Sequence, residues 1–174
     1  MHHPRLARPA ADEYSAYYGT YTQLVPDGDI VRTLHTQHAA IRDLVQGLAE
    51  AHAAARPTPG AWSAKEVLLH LSDAERLFGF RALWFARGEQ ATLPGMEPNP
   101  WVASSDANAR ALSDLLDEFA HVRAASVALF ANLDDSAWLR RGSASGAVVS
   151  VRALAFIIAG HELHHLRSLR DEYV

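Results

Sequence analysis

Cysteine is missing from the whole 174-residue chain. Its absence excludes disulfide cross-links, thiolate metal sites and a cysteine nucleophile, so any thiol chemistry has to draw on an external thiol. A basic surplus is missing too. The formal charge is −4 with histidines neutral, and no Lys/Arg cluster stands out, which argues against nucleic acid as a partner. No apolar run reaches the roughly 20 residues of a membrane-spanning helix, so no membrane partner is expected. The N-terminus lacks the apolar centre of a secretion signal, and a cytoplasmic location is the expectation. Alternating, strand-like stretches are few, and there are no internal repeats or low-complexity linkers.

What is present is alanine, leucine and histidine. Hydrophobic residues make up 49% of the chain. The length suits one domain over residues 1–174 with a real core. Residues 1–26 read as an irregular segment packed on that body. Within it Tyr14, Tyr17, Tyr18 and Tyr21 have the spacing of a short helix laying one face down, and they are candidates to line a pocket. His2 and His3 offer only adventitious metal binding.

Helical periodicity organises the rest. Asp27 or Asp29 caps a predicted first helix running to about His52, with Ile30, Leu34, Ile41, Leu44, Val45 and Leu48 as its apolar stripe. Arg56-Pro57-Thr58-Pro59-Gly60 breaks the chain. Ser63-Ala64-Lys65-Glu66 is a capping box, so a second helix runs from there to about Arg87 and stops at Gly88. Its stripe is Val67, His70, Leu71, Ala74, Leu77, Phe78 and Arg81. Residues 89–105, with four interruptions by Pro94, Gly95, Pro98 and Pro100, form a long loop crossing the molecule. A third helix is predicted from an Asp106 cap to about Leu133, its stripe Leu112, Leu115, Leu116, Phe119, Val122, Ala125 and Leu129. Residues 134–141 give a short helical turn around Trp138. Gly142-Ser143-Ala144-Ser145-Gly146 reads as a flexible connection, and Val148-Val149 as a brief extended piece before a Ser150 cap. The last helix spans residues 150–173. Four amphipathic helices give an all-α, four-helix-bundle expectation.

The chemistry lies in the last helix, at Gly160-His161-Glu162-Leu163-His164-His165. Positions i and i+4 share a helix face, so His161 and His165 point together, on the stripe of Leu154, Ile158 and Ser168. Buried imidazoles need partners, and a divalent ion suits a pair of them. His70 lies about 10 Å into its helix, level with the pair if the second and fourth helices are antiparallel. His70, His161 and His165 are therefore the candidate metal ligands, leaving open positions as catalytic sites do. His164 points elsewhere. His38 either faces the site or is an ordinary core histidine. Arg81 on a core stripe implies a buried ion pair, with Glu162 or Glu118 as partner. Asp73, Glu75 and Arg76 either orient ligands or pair at the surface. Trp62, Trp84 and Trp101 read as packing anchors.

Trp62-Ser63 before a helix, His70-Leu71-Ser72-Asp73-Ala74-Glu75-Arg76 within it, and the Gly160–His165 motif together resemble the DinB/YfiT-like superfamily. That resemblance implies a four-helix bundle of up-down-down-up topology, often a homodimer. It also implies a divalent metal held by His70, His161 and His165. Zinc or nickel are foremost for three nitrogens, with iron, cobalt and manganese as alternatives. The implied activity is thiol S-transfer, with a low-molecular-weight thiol such as bacillithiol, mycothiol or glutathione, or hydrolysis of a small-molecule substrate. A non-catalytic, stress-associated metal- or ligand-binding bundle is the alternative. His161-Glu162-Leu163-His164-His165 also fits the H-E-x-x-H protease signature, but no downstream helix brings a third ligand.

Overall fold

The computed structural model describes residues 3–174, so His2 of the N-terminal pair lies outside the described residues. Short 3-10 turns at Pro4–Leu6, Ala11–Glu13 and Ala16–Tyr18 lead into the one-turn helix α1, Gly19–Thr22. The first bundle segment is α2, Ile30–Gln37, continued by α3, Ala39–Val45. Asp29 caps it by accepting hydrogen bonds from the Val31 and Arg32 amides. The expected single helix to His52 is instead interrupted twice. At His38 the backbone stays helical while the hydrogen-bond ladder lapses. After Val45, Ala49 turns extended, and the chain restarts as α4, Glu50–Ala54. The Gln46-Gly47 step is where helix propensity is weakest.

Helix α5, Ala64–Ala86, has the predicted capping box: the Ser63 amide donates to Glu66 Oε2 at 2.7 Å, and the Glu66 amide to Ser63 Oγ at 3.1 Å. The crossing loop contains α6, Pro98–Ala103, and a 3-10 turn at Ala107–Ala109. Helix α7, Leu112–Ala131, starts later than Asp106, which sits in the left-handed region with φ of 50°. Ala111 offers no capping oxygen. Glu50 of α4 supplies it across space, accepting from the Leu112 amide at 3.0 Å. The buried stripe of α7 also differs from expectation. Phe119, Arg123, Ser126 and Phe130 face in, while Ala125 is exposed. The expected short helical turn is α8, Asp135–Leu139, and it buries Trp138. The segment read as flexible forms a two-stranded antiparallel hairpin, β1 (Arg141–Ala144) and β2 (Ala147–Ser150). Ser145 and Gly146 turn it with positive φ of 53° and 78°. Helix α9, Val151–Tyr173, is capped by Ser150 Oγ, which accepts from the Ala153 amide.

Contacts at both ends fix the topology. Lys65 donates to the Arg110 carbonyl and Arg123 to Glu75, so α5 and α7 run parallel. Tyr173 donates to the Trp62 carbonyl and Arg140 to the Ala86 carbonyl, so α9 runs against α5. Gln37 donates to the Ala159 carbonyl and His52 meets the Tyr173 ring, so α2 and α3 run with α9. The order is up-down-down-up. Parallel α5 and α7 force the chain to return the length of the bundle between them. On the way Leu93 is pinned to the hairpin by its amide on the Ser143 carbonyl and its carbonyl to the Ser145 amide. Helix α9 is buried all round from Val151 to Glu162 except at Arg152, as its unbroken apolar run requires. No helix among the described residues is long and apolar enough to cross a membrane.

Candidate metal centre

The antiparallel pairing of α5 with α9 brings His70 level with His161 and His165. His161 Nε2 lies 3.1 Å from His70 Nε2 and 3.1 Å from His165 Nε2. The three ligand atoms all lie within 4.8 Å of one another. Nitrogens sharing a zinc-like ion at about 2.0–2.1 Å stand roughly 3.0–3.4 Å apart, depending on bond angle. The spacing therefore suits one shared ion, and the donor set is all neutral nitrogen.

Burial keeps these rings neutral. It lowers His70 to about 4 and His165 to about 3, and pushes His161 well below the ordinary histidine value, with the neighbouring imidazoles adding to the shift at His165 and His161. None of the three has a carboxylate partner among the described residues. The facing nitrogens cannot satisfy one another fully either. A neutral imidazole has one N–H and one lone pair, and His161 Nε2 faces two other ring nitrogens at once. Trp62 packs over His70 with ring centroids 4.8 Å apart, and Tyr21 meets His161 edge-on at 5.2 Å.

The cluster opens into a cavity of about 240 Å³, lined also by Tyr17, Tyr18, Phe78, Arg81, Met96 and Ser145. The tyrosines reach it because α1 lies directly on α9. A β-carbon at Gly160 would stand 2.1 Å from the Tyr21 carbonyl oxygen, so only glycine admits that approach. The glycine before His161 was the sequence's signal for this contact. Tyr17 and Tyr21 hydroxyls lie 3.2 Å apart, and burial raises the Tyr21 phenol, which stays protonated. Met96 and Pro98 from the crossing loop and Ser145 from the hairpin also line the cavity. No motif marked these, because each arrives on a connection whose path depends on the whole fold.

Other expected contacts fall elsewhere. His164 is exposed and touches the cavity rim beside Tyr21. His38 hydrogen-bonds the His35 carbonyl on the far side of the first segment, away from the cluster. Trp62 is a wall of the cavity as well as an anchor, whereas Trp101 is largely exposed. Arg81 has neither Glu162 nor Glu118 as partner. Its Nη2 donates to the Pro94 carbonyl at 2.6 Å and Ser145 Oγ at 2.9 Å. Glu118 binds Arg76 and Arg110 nearer the surface, and Asp73 pairs with Arg76. Glu162 turns away from the histidines into a buried network. Arg123 donates from Nη1 to Glu162 Oε2 at 2.6 Å, and from Nε and Nη2 to the Glu75 carboxylate at 2.8 Å. Gln37 also donates to Glu162. Glu162 thus braces the helix that carries the histidines, and the general-base position of a metalloprotease is not built.

The sequence profile of the DinB superfamily matches residues 33–169. No curated protein matches the chain. Among solved structures, the fold is similar to that of YfiT from Bacillus subtilis, described as a probable metal-dependent hydrolase with an unusual four-helix bundle topology. That likeness has a TM-score of 0.73 at 14% identity, over 95% of this chain and 90% of that one. Identity this low speaks for the fold alone. The profile spans most of the bundle and all three converging histidines, and on that ground the chain belongs to the DinB superfamily.

Proposed function

We propose that His70, His161 and His165 hold a divalent metal ion at the catalytic centre of an enzyme acting on a small molecule. The observation that carries this reading is the convergence of three neutral imidazoles, two buried and one half-buried, whose Nε2 atoms have no partner but one another among the described residues. Zinc or nickel suits such a donor set best. When bound, the ion supplies Lewis-acid activation of a water or a thiol. The chain's own residues do the rest. Trp62 and Phe78 exclude bulk water from the cluster, and the tyrosines present hydroxyls to a bound molecule. Hydrolysis is the first activity to test, since the structurally similar YfiT carries that description. Transfer to an external low-molecular-weight thiol is the second, since the chain has no cysteine of its own.

Elemental analysis of protein purified without a histidine tag or nickel column tests the centre. One ion per chain is expected in the wild type and none in His161→Ala or His165→Ala. His70→Ala should bind weakly, and His164→Ala normally. Metal content that follows His164 or His3 instead would overturn the reading. A screen of esters and amides without thiol, and of electrophiles with thiol, separates the two activities. If neither class turns over in the metal-loaded protein, a metal- or ligand-binding role without catalysis replaces the enzyme.

A homodimer belongs to the same reading. Phe80 and Leu83, 48% and 40% exposed, line a mainly apolar groove between α5 and α7 with Val122 and Leu129. Such a strip suits a two-fold contact. Sedimentation at micromolar concentration should give twice 19.0 kDa, and a purely monomeric species would rule the dimer out.

A further inference from the structure

The cavity above the histidines has a second chemical end. Arg81 lines it and is 2% exposed, yet no carboxylate pairs with it among the described residues. The other buried cations are all paired: Lys65 with Glu50, and Arg123 with Glu75 and Glu162. Arg81 places the hydrogens of Nη2 on two neutral acceptors, the Pro94 carbonyl and Ser145 Oγ. Its Nε is buried without a partner, and Nη1 makes no hydrogen bond among the described residues. Packing against the Phe78 ring, 5.6 Å from the guanidinium carbon, offsets only part of the cost of burying that charge. No Asp or Glu lines the cavity, and Arg81 is its one Arg or Lys.

The guanidinium is also held in place. Pro94 belongs to the crossing loop and Ser145 to the hairpin turn, which are pinned to each other through Leu93. A donor fixed in this way on a rigid frame loses little entropy when it receives a planar anion. His70 and Arg81 share helix α5, about 16 Å apart along its axis, and the guanidinium packs over Phe78, one turn nearer His70. Tyr17, Tyr18, Leu77 and Phe78 line the same cavity, and Phe78 touches both ends of it, meeting His161 edge-on and packing under Arg81.

We propose that Arg81 is an anion subsite that takes the carboxylate of an elongated small substrate, whose apolar body lies along the tyrosine and Phe78 wall and whose opposite end reaches the histidine cluster. The substrate class of the metal reading is thereby narrowed to carboxylic acids with an apolar or aromatic body. The second half of this assignment rests on that reading, but the carboxylate preference does not. A carboxylate fits this end of the cavity better than a phosphate monoester, because Arg81 is the one Arg or Lys in the lining and a single guanidinium balances a single negative charge.

Calorimetric titration with 4-phenylbutyrate, its primary amide and phenyl phosphate tests the assignment. Metal-loaded wild type should bind the acid about 10-fold or more tighter than the amide, the value of one charged hydrogen-bonded contact. Arg81→Gln should bind both alike. Arg81→Lys, which keeps a cation able to reach the Pro94 carbonyl, should retain the preference and so decides the matter if the Gln variant fails to fold. His161→Ala separates the two readings: it should lose metal and keep the acid preference. Acid and amide binding equally to wild type, a preference that survives Arg81→Gln, or one that vanishes with His161→Ala, would each overturn the carboxylate subsite. So would tighter binding of phenyl phosphate than of the acid to metal-free His161→Ala. Metal retained in His161→Ala would instead overturn the metal reading and leave the acid-amide comparison intact.

Discussion

Two kinds of residue make the candidate site: the histidines whose ring nitrogens converge and the glycine that lets the tyrosines approach. Because burial already holds His70 near 4 and His165 near 3, an incoming ion displaces few protons from them at neutral pH. Metal content should therefore stay constant as pH falls through about 6.5, where an exposed histidine titrates, and drop only near pH 4. Loss centred near 6.5 in a metal-buffered titration would show that the rings are more solvated than the fold implies. At Gly160 an added methyl meets the Tyr21 backbone, which cannot swing aside as a side chain would. Gly160→Ala should lower stability by about 1–3 kcal/mol in urea titration, with α1 lifted and the tyrosines more exposed to quenchers. The histidine triad was legible in the sequence, since i,i+4 spacing and a level argument need only helix geometry. The environment of Arg81 was not: an arginine on a core stripe announces a need for partners, and nothing local says whether a carboxylate or a cavity meets it.

Among the elements, α7 shows most clearly what periodicity can and cannot give. Its first half follows the apolar stripe through Leu112, Leu115, Leu116 and Phe119. Its second half was read one step off, on Val122 and Ala125, because Arg123 and Ser126 are polar. Arg123 is 1% exposed, held by Glu75 from α5, Glu162 from α9 and the Leu34 carbonyl from α2. Those partners are 48, 39 and 89 residues away, so no local window shows them. Likewise the start of α7 depends on Glu50, 62 residues upstream, rather than on a neighbouring cap. Arg123→Ala leaves two buried carboxylates without their cation and should cost about 3–5 kcal/mol, measured by urea unfolding. Replacing Arg123, Glu75 and Glu162 together by apolar residues of similar size should cost much less. If the single change were as mild as the triple one, the network would not be holding the helices together. Burial raises the Glu162 carboxyl against the pull of Arg123, so in the folded chain it takes up a proton before an exposed carboxylate would, and this uptake does not by itself destabilise the fold in acid.

At the scale of the molecule, four apolar stripes sufficed for the bundle, because each helix has one face that water excludes, even though the Asp106 cap did not start α7. The hairpin was missed because Gly142, Ser143 and Ser145 look like linker residues when read alone. Gly142 is there because a β-carbon would stand 2.0 Å from the Phe85 ring. The whole bundle also stores the histidines in an uncharged state, and that sets its response to acid. In the unfolded chain each titrates near 6.5, whereas folded His70 titrates near 4 and His165 near 3. Between those values the unfolded chain binds more protons than the folded one, so stability falls as pH falls. Above about 6.5 both states are neutral and the histidines contribute no pH dependence. For His70 alone the full loss by pH 4 is about 3 kcal/mol. Metal-free protein should still fold at pH 7.5, since the core does not depend on the ion, but its melting temperature should decline steadily below pH 6.5. An ion at 100 times its Kd should add about 2.7 kcal/mol, an increment that holds as pH falls and is lost only near pH 4, where the folded rings protonate. His161→Ala, with fewer buried imidazoles, should show a shallower decline. Melting curves from pH 8 to 4.5, with EDTA and with zinc, measure both effects. A metal-free protein whose melting temperature stays flat across that range, or a His161→Ala variant that declines as steeply as wild type, would show that acid enters the molecule elsewhere.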